Sequence, residues 1–517
     1  MLTTARHIAR LLAIARTLAA HDALFPLEEA GLAPIATFIA SSLARKRRNG
    51  GRRGQRLAAA LQALGPSFIK LGQALSVRSD LFGEEMAEDL SLLQDRLPPF
   101  PAAAARATIE AELGRPIKAL FAAFDDRPVA AASISQVHYA ETTDGRPVAV
   151  KILRPGIEGA FARDLALFYW LAGLAERARP ALRRLKPVEV VATFRDMVAV
   201  EMDLRLEAAA AAEFAETLAD DPNIRIPRVD WPRTARRVLT LERIGGIPVD
   251  EREALVAAGH DPTRIIARAA ETFFNQVFCH GYFHADMHPG NLFVNAEGQI
   301  VMVDFGIMGR LDRKTRFYLA DMLMGFLQGD YRAVAEVHFR AGYVPPHKSM
   351  EAFMLACRSI GEPIFNRPLH EISFARLLGQ LFQVTETFEM ETQPQLLLLQ
   401  KSMLLAEGVG RRLNPEVNMW QLARPLVETW MRENRGPEAR LRETAQDVAQ
   451  ALQRLPQLLR QTEDAIALLA DGGFKLHPDT LRALTTTGGT ETRLLLWPLW
   501  GAVVLLLLIL IAVISAH

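Results

Sequence analysis

His284-Ala-Asp-Met-His-Pro-Gly-Asn291, followed by Val303-Asp-Phe-Gly306, decides the reading of this chain. Asp286 and Asn291 stand five residues apart, and Asp304 comes directly after the apolar run Ile300-Val-Met-Val303. A second strand-like run, Leu292-Phe-Val294, follows Asn291. Two carboxylates and an amide at these separations suit phosphoryl transfer. That reaction builds charge on phosphate oxygens, and bridging metal ions neutralise it. Asp-Phe-Gly or Asp-x-x-x-x-Asn alone arises easily among solvated loop residues. The two in order, each flanked by strands, are much rarer.

The Asp-to-Asn spacing is that of a protein-kinase catalytic loop, with Asp304 in the place of the second metal-binding aspartate. Such a site needs an upstream lysine on a strand, and Val148-Ala-Val-Lys-Ile152 supplies Lys151. Its ammonium would meet the α/β-phosphates and need an acidic partner on a following helix. Glu207, in Glu201-Met-Asp-Leu-Arg-Leu-Glu207, is the candidate. The phosphate-covering hairpin departs from the kinase pattern. Val129, Ala130, Ala131, Ala132, Ser133, Ile134, Ser135, Gln136 and Val137 contain no glycine. Alanine forbids much of the backbone freedom that glycine offers there, so altered phosphate geometry is expected. After Asp304 the chain runs through Phe305-Gly-Ile-Met-Gly-Arg-Leu311 almost directly into a helix near Asp312. No long activation loop and no Ala-Pro-Glu element follow, which argues against a platform for peptide substrates.

The chain has 517 residues, half of them apolar, and a net charge of +1. That length suggests several domains or one elaborated domain. The neutral balance argues against binding nucleic acid through bulk electrostatics. Cys279 and Cys357 are the only cysteines and lie far apart, so neither a zinc site nor a disulfide framework is indicated. Arg6, Arg10 and Arg16 interrupt the N-terminal apolar run, so no cleavable signal is read there. Residues 6–20 form either a basic amphipathic helix on a membrane surface or an ordinary docking helix. Leu494–Ala516 carries no charge and would span about 35 Å as a helix, against a bilayer core of about 30 Å. Trp497 and Trp500 at its start, and Lys475, Arg482 and Arg493 before it, predict a C-terminal transmembrane anchor with the main body cytoplasmic.

The pattern divides the chain into a basic, membrane-proximal region (1–56) and a helical extension (57–125). A smaller lobe (126–245) and a larger lobe (246–435) follow, then a helical connector (436–493) and the membrane helix (494–516). In the smaller lobe, two strands joined by Asp144-Gly145 predict a hairpin. A further strand, Val238–Arg243, ends near Glu242, which joins the candidate nucleotide-binding set.

In its ordered motifs the sequence resembles the UbiB atypical-kinase family of ubiquinone biosynthesis. The motifs are Lys70-x-Gly72-Gln73, Ala130-Ala-Ala-Ser133 with Gln136-Val-His138, Val-Ala-Val-Lys151, Glu201-x-Asp203, His284-x-Asp286-x-His-Pro-Gly-Asn291 and Asp304-Phe-Gly306. Gln393-Pro-Gln-Leu, Gln400-Lys401 and Glu407-Gly-Val-Gly-Arg411 extend the similarity over nearly the whole chain. The resemblance implies an α+β, bilobal, helix-rich protein-kinase-like fold with a Lys-x-Gly-Gln extension folded over the active site. It implies that Lys70 and Gln73 lie near Glu201 and Asp203 and block a peptide cleft. It further implies Asp286 as catalytic residue, Asn291 and Asp304 as metal ligands, and Lys151 as the nucleotide lysine, with ATP (or ADP) and Mg2+ as cofactors. Ser135 stands where the family often has glycine or alanine, and Ala210 where it often has asparagine.

The function so implied is a membrane-anchored ATPase or atypical kinase required for ubiquinone synthesis, at the inner membrane of a bacterium. Its expected partners are membrane lipids, polyprenylphenol precursors and pathway enzymes, with no nucleic acid; homodimerisation stays open. A nucleotide-switched scaffold is the alternative. A polyprenylphenol hydroxylase is less well supported, because the chain has no Gly-x-Gly-x-x-Gly turn after a strand and no cluster of iron ligands.

Overall fold

The computed structural model describes residues 2–25, 51–76, 86, 89–90, 93, 97–178, 186–363, 383–385, 387–390, 393–417 and 419–435. The chain separates into Met1–Arg432 and Glu433–His517, and the architecture below is that of the first unit.

Three helices begin the chain: α1 (Leu2–Ala20), α2 (Arg53–Leu64) and α3 (Pro66–Ser76). Gly65 divides α2 from α3 at φ +104°, a conformation that costs little only without a Cβ. Pro66 then opens α3, where its missing N–H is no loss. The apolar stripe of α1 (Ile14, Ala15, Leu18, Ala19) packs on Leu57, Ala60 and Leu61 of α2. Arg10 grips Asp164 with two hydrogen bonds of 2.9 and 3.1 Å. Of the two expectations for residues 6–20, the docking helix describes this geometry. Gly72 on α3 lets the helix pack closely on Leu61 and Leu93, whose δ-methyl groups would have to shift to admit a Cβ there.

The smaller lobe holds α4 (Ala102–Leu113), α5 (Ile117–Leu120), β1 (Phe121–Phe124), β2 (Ala130–Ala131), β3 (Ser135–Thr142) and β4 (Pro147–Leu153). Two inserted helices, α6 (Ile157–Ala178) and α7 (Pro187–Glu201), precede α8 (Leu204–Thr217), β5 (Ile224–Arg225) and β6 (Val238–Glu242). The antiparallel sheet runs β1-β3-β4-β6, with β2 also paired to β3. The hairpin between β3 and β4 forms as expected, and Gly145 in its turn has φ +82°. Strand alternation decides where Lys151 points. Val148, Val150 and Ile152 join Ala105 and Ile109 of α4 in one core cluster. With a side-chain period of two, Lys151 and Leu153 must face the other way. On that side Leu153 packs with Leu204 and Ala208 of α8.

The larger lobe contains β7 (Ile247–Pro248), α9 (Arg252–Ala257), α10 (Pro262–Phe274), a widened turn at Asn275–His280, β8 (Tyr282–His284), β9 (Leu292–Val294), β10 (Ile300–Met302) and β11 (Met308–Arg310). Then come α11 (Arg313–Gln328), α12 (Tyr331–Arg340), α13 (Met350–Gly361), α14 (Pro394–Leu413) and α15 (Met419–Arg435). Its small sheet runs β5-β10-β9-β7, and β8 pairs with β11. Asp261, Asp312, Asp330 and Ser349 cap α10 to α13 by accepting from backbone N–H groups of the first turn. Such caps satisfy donors that helix geometry leaves unpaired. Asp312 starts α11 two residues after β11, as the short link after Asp304 predicted.

The membrane anchor requires correction. The expected fold class included a C-terminal transmembrane helix, the expected function a membrane-anchored enzyme, and the expected location a single-pass anchor in a bacterial inner membrane. No helix among the described residues is long and apolar enough to cross a membrane. The longest, α1, α6 and α14, each carry at least three charged residues, because they expose one face while packing the other. Leu494–Ala516, on which the expectation rested, lies outside the described residues, as does the 436–493 connector. The fold class is therefore a bilobal kinase-like α+β fold with no membrane-spanning helix among the described residues. The anchor is dropped from function and location.

Candidate active site

The β9–β10 hairpin brings the metal-ligand candidates together. Met302 pairs with Leu292, and the next backbone hydrogen bond runs from Val303 N to Asn291 O at 3.0 Å. Asn291, just before β9, therefore lies beside Val303-Asp304, just after β10. Asp304 adopts φ +64°, a left-handed conformation that aspartate tolerates better than most residues. Its Oδ1 accepts from Gly306 N at 3.3 Å, and its side chain remains about half exposed (48%).

Asp286 is held from two sides. Asn291 Nδ2 donates to its Oδ2 at 3.1 Å and to its main-chain oxygen at 3.2 Å. Lys401 Nζ on α14 donates to Oδ1 at 2.9 Å. The loop between them is organised by His284, whose ring is fully buried. Asp286 N donates to Nδ1 at 3.2 Å, and Nε2 lies 2.8 Å from the carbonyl oxygen of Asp304. Those partners require an acceptor at Nδ1 and a proton on Nε2, which is one neutral tautomer. Burial, opposed by the charge of Asp286, lowers the pKa of His284 and favours that neutral form. Gln276, in the widened turn, accepts from His284 N at 3.1 Å. Phe214 of α8 sits against His284 and Phe305 with ring centroids 6.5 and 5.9 Å away, and all three are buried. One cluster of tilted and edge-on rings thus ties α8 to both halves of the acidic site.

Lys151 reaches across the cleft. Its Nζ lies 2.7 Å from Glu207 Oε1 and 3.2 Å from Asp304 Oδ2. One ammonium faces two carboxylates. Burial works against the charge on Lys151, but Asp304 and Glu207 outweigh it and raise its pKa above the usual lysine value. Burial similarly opposes ionisation of Asp304, yet Lys151 holds its carboxyl at about 2. Glu207 is the deeper partner, and burial, only partly offset by Lys151, pushes it up to about 7.

The Lys-x-Gly-Gln helix, which only the family resemblance related to the Glu-x-Asp region, lies with Lys70 beside Glu201. Lys70 Nζ is 2.8 Å from Glu201 Oε2, and both side chains are 11% exposed. The positive charge of Lys70 also helps depress Asp304. Gln73 is half-buried on α3. Asp203 has a different partner: it caps α8 and pairs with Arg205 at 2.6 Å.

The glycine-free hairpin is a tight β2–β3 turn in which Ala132 N donates to Ser135 O at 2.8 Å. Ala130 pairs with Val137, and Ala131 with Gln136. Arg154 donates to Ala132 O from Nε (3.1 Å) and Nη2 (2.8 Å), pinning the turn from β4's end. Ser133, Ile134 and Ser135 are buried, Val137 is half-buried and Val129 is exposed. Gln136 turns its side chain to Phe100, donating to its oxygen at 3.2 Å and accepting from its nitrogen at 2.9 Å. His138 continues that network to Asp125 O at 2.7 Å. Glu242 pairs with Arg225 at 2.6 Å and accepts from Arg228 N at 3.2 Å. It lines a cavity of about 400 Å³ with Arg225, Arg243, Asn295 and Glu297, to which none of Lys151, Asp286, Asn291 or Asp304 contributes.

Comparison with known proteins assigns the chain. Residues 92–338 match the ABC1 atypical kinase-like domain, and residues 357–418 match the UbiB helical domain. A probable protein kinase UbiB of Marinobacter nauticus is 44% identical over 425 residues, which cover 81% of this chain and 78% of the relative. Its counterpart in Azotobacter vinelandii is 43% identical over 425 residues, with the same coverage. The chain belongs to the UbiB family of atypical kinases. A solved structure described as the complex of Rv3197 with erythromycin, from Mycobacterium tuberculosis, is 27% identical with a TM-score of 0.51. It covers 71% of this chain and 94% of that one. Membership makes this chain a phosphotransferase of kinase type with a nucleotide-binding domain. The family's two domain matches also explain what the catalytic motifs alone did not reveal. Lys401 and Ser402 come from the helical domain, far from Asp286 in sequence, and only the packing of α14 brings them to the catalytic loop.

Proposed function

We propose that this protein is an ATP-dependent kinase or ATPase serving ubiquinone biosynthesis. The observation that carries the reading is the joint geometry of two clusters: Lys151 between Glu207 and Asp304, and Asp286 bound to Asn291. Lys151 would leave Asp304 for the α/β-phosphates while Glu207 keeps it aimed into the cleft. The turn at Ala130–Ser135, pinned by Arg154, would cover the phosphates with a stiffer backbone than a glycine loop provides. Glu242, whose carboxylate is held by Arg225, would contribute through its main chain at the end of β6.

The residues present fit magnesium. Asp304 offers a half-exposed carboxylate, and Asn291 donates through Nδ2, which leaves its amide oxygen free to coordinate. Among the described residues no group of three or more His, Cys, Asp or Glu could hold a metal unaided. A hard cation completed by phosphate and water oxygens suits such a sparse oxygen set. When bound, magnesium would supply charge neutralisation at the β- and γ-phosphates.

Asp286 would accept the proton of the attacking hydroxyl or water. The oxygen of that nucleophile bonds to the γ-phosphorus as the bond to the β–γ bridging oxygen breaks, and ADP leaves with that electron pair. The target proposed is a polyprenylphenol precursor or a pathway enzyme, and a phosphoacceptor other than water gives the kinase form of the reaction. The Lys70–Glu201 contact favours a small acceptor over a peptide. The test is turnover of MgATP by the purified chain and its Asp286→Asn variant, with and without a soluble phenolic precursor. Loss of turnover with nucleotide binding retained supports the reading, and equal turnover in both proteins overturns it.

A further inference from the structure

The catalytic loop carries no cation of its own. Between His284 and Asn291 there is neither lysine nor arginine. Met287 is buried, and His288 is turned onto its own loop, where Nδ1 accepts from Gly290 N at 3.1 Å. The positive charge beside Asp286 comes instead from Lys401, 115 residues away on α14, at 2.9 Å. The adjacent residue fixes the docking of that helix. Ser402 is fully buried, and its hydroxyl lies 3.4 Å from His284 O and 3.0 Å from Leu398 O. Consecutive residues of one helix therefore touch the first and third residues of the catalytic motif.

We infer that Lys401 is a positioning residue for the catalytic carboxylate, so that the UbiB helical domain completes the active site of the kinase-like domain. The inference rests on the phosphoryl-transfer role proposed above for Asp286. With Asn291 on Oδ2 and Lys401 on Oδ1, both carboxylate oxygens are held and rotation of the group is suppressed. The remaining lone pairs of each oxygen keep a fixed direction toward an incoming hydroxyl or water, and turnover is sensitive to orientation at such a group. Lys401 and Asp286 are each 31% exposed, so the pair is open to solvent on one side. An ion pair so exposed adds little to folding stability. Its effect is expected in turnover rather than in the unfolding midpoint, which separates positioning from a merely structural contact.

The experiment compares wild type, Lys401→Met, Lys401→Arg and Asp286→Asn as full chains, measuring MgATP hydrolysis, KM for MgATP and thermal midpoint. Lys401→Met is expected to lower kcat by about 10- to 100-fold with KM changed less than about 3-fold. The midpoint should stay within about 2 °C of wild type. Lys401→Arg, which keeps a donor and a charge, should recover turnover to within about 10-fold of wild type. Unchanged kcat in Lys401→Met overturns the inference. So does a rise in KM alone, which would make Lys401 a nucleotide contact. So too does a kcat loss that parallels a fallen midpoint and is not rescued by arginine. Equal turnover in wild type and Asp286→Asn is a different failure, because it removes the role of Asp286 itself. Dependence on Asp286 with indifference to Lys401 removes only the positioning role.

Discussion

The Lys70 ammonium on α3 lies 2.8 Å from the Glu201 carboxylate at the end of α7, in a contact largely closed to water. This relationship joins an N-terminal extension to a helix inserted in the smaller lobe. Removing one partner of a buried ion pair leaves an uncompensated charge, which typically costs about 3–5 kcal/mol. Lys70→Met should therefore destabilise strongly in urea unfolding, and Lys70→Met/Glu201→Gln should destabilise less than Lys70→Met alone. A loss in the double variant equal to the sum of the Lys70→Met and Glu201→Gln losses would show that the two charges are not coupled.

Lys151 stands between Glu207 and Asp304, and nucleotide binding must redistribute those contacts. Lys151→Met should weaken MgADP binding by at least about 10-fold, equivalent to about 1.4 kcal/mol. Isothermal titration would measure it. Affinity equal to that of wild type would show that Lys151 does not reach the phosphates.

Phe214 has no exposed surface and packs on His284, Tyr282 and Phe305. Truncating a buried phenylalanine generally costs about 3–5 kcal/mol. Phe214→Ala should lower the unfolding free energy by that order. Phe214→Leu should recover most of the stability, with a residual loss in turnover because the ring cluster also aligns His284 with Asp304. Chemical denaturation and single-turnover kinetics distinguish the two effects.

Glu407 on α14 gives a pH signature separate from the active site. Burial, weakly opposed by Arg411 at 3.9 Å, raises its pKa from 4.5 to about 8. The folded state therefore holds a proton that the unfolded chain has lost. Its contribution to stability is fully present below pH 4.5 and is lost as pH rises through about 8. Glu407→Gln should flatten the fall in thermal midpoint over that window, raising the midpoint at pH 8.5 relative to wild type and changing it little near pH 4.5. An identical pH profile in both proteins would remove Glu407 as its source.

Much of the site was legible in the primary structure because it is local. Asp286, Asn291 and Asp304 fall within one strand–turn–strand unit, where spacing nearly fixes position. Lys151 was legible because strand alternation assigns it to the face opposite Val150 and Ile152. Glu207 was legible only as an acidic residue on a following helix. Its partnership with Lys151 depends on how α8 packs against β4. Arg154, Gln276 and Ser402 lie outside the motif reading, and Lys401 entered it only as part of Gln400-Lys401, with no role; all four act through backbone groups or on a residue distant in sequence. A lysine on a helical face carries no mark that it will meet an aspartate 115 residues earlier.

The membrane anchor shows the opposite case. That expectation was read from the uncharged run Leu494–Ala516 and its flanking aromatic and basic residues, which lie outside the described residues. No described helix has the length and apolar character to cross a bilayer. By itself, then, the sequence determined the reaction class, which the spacing of Asp286, Asn291 and Asp304 carries, and the bilobal kinase-like plan, which the family resemblance implies. Only tertiary structure decided that His284 is a neutral bridge to Asp304, that Lys151 is shared by two carboxylates, and that α14 delivers Lys401 to Asp286. Those are contacts between separately folded segments. They follow from the packing of buried faces, which no local rule specifies.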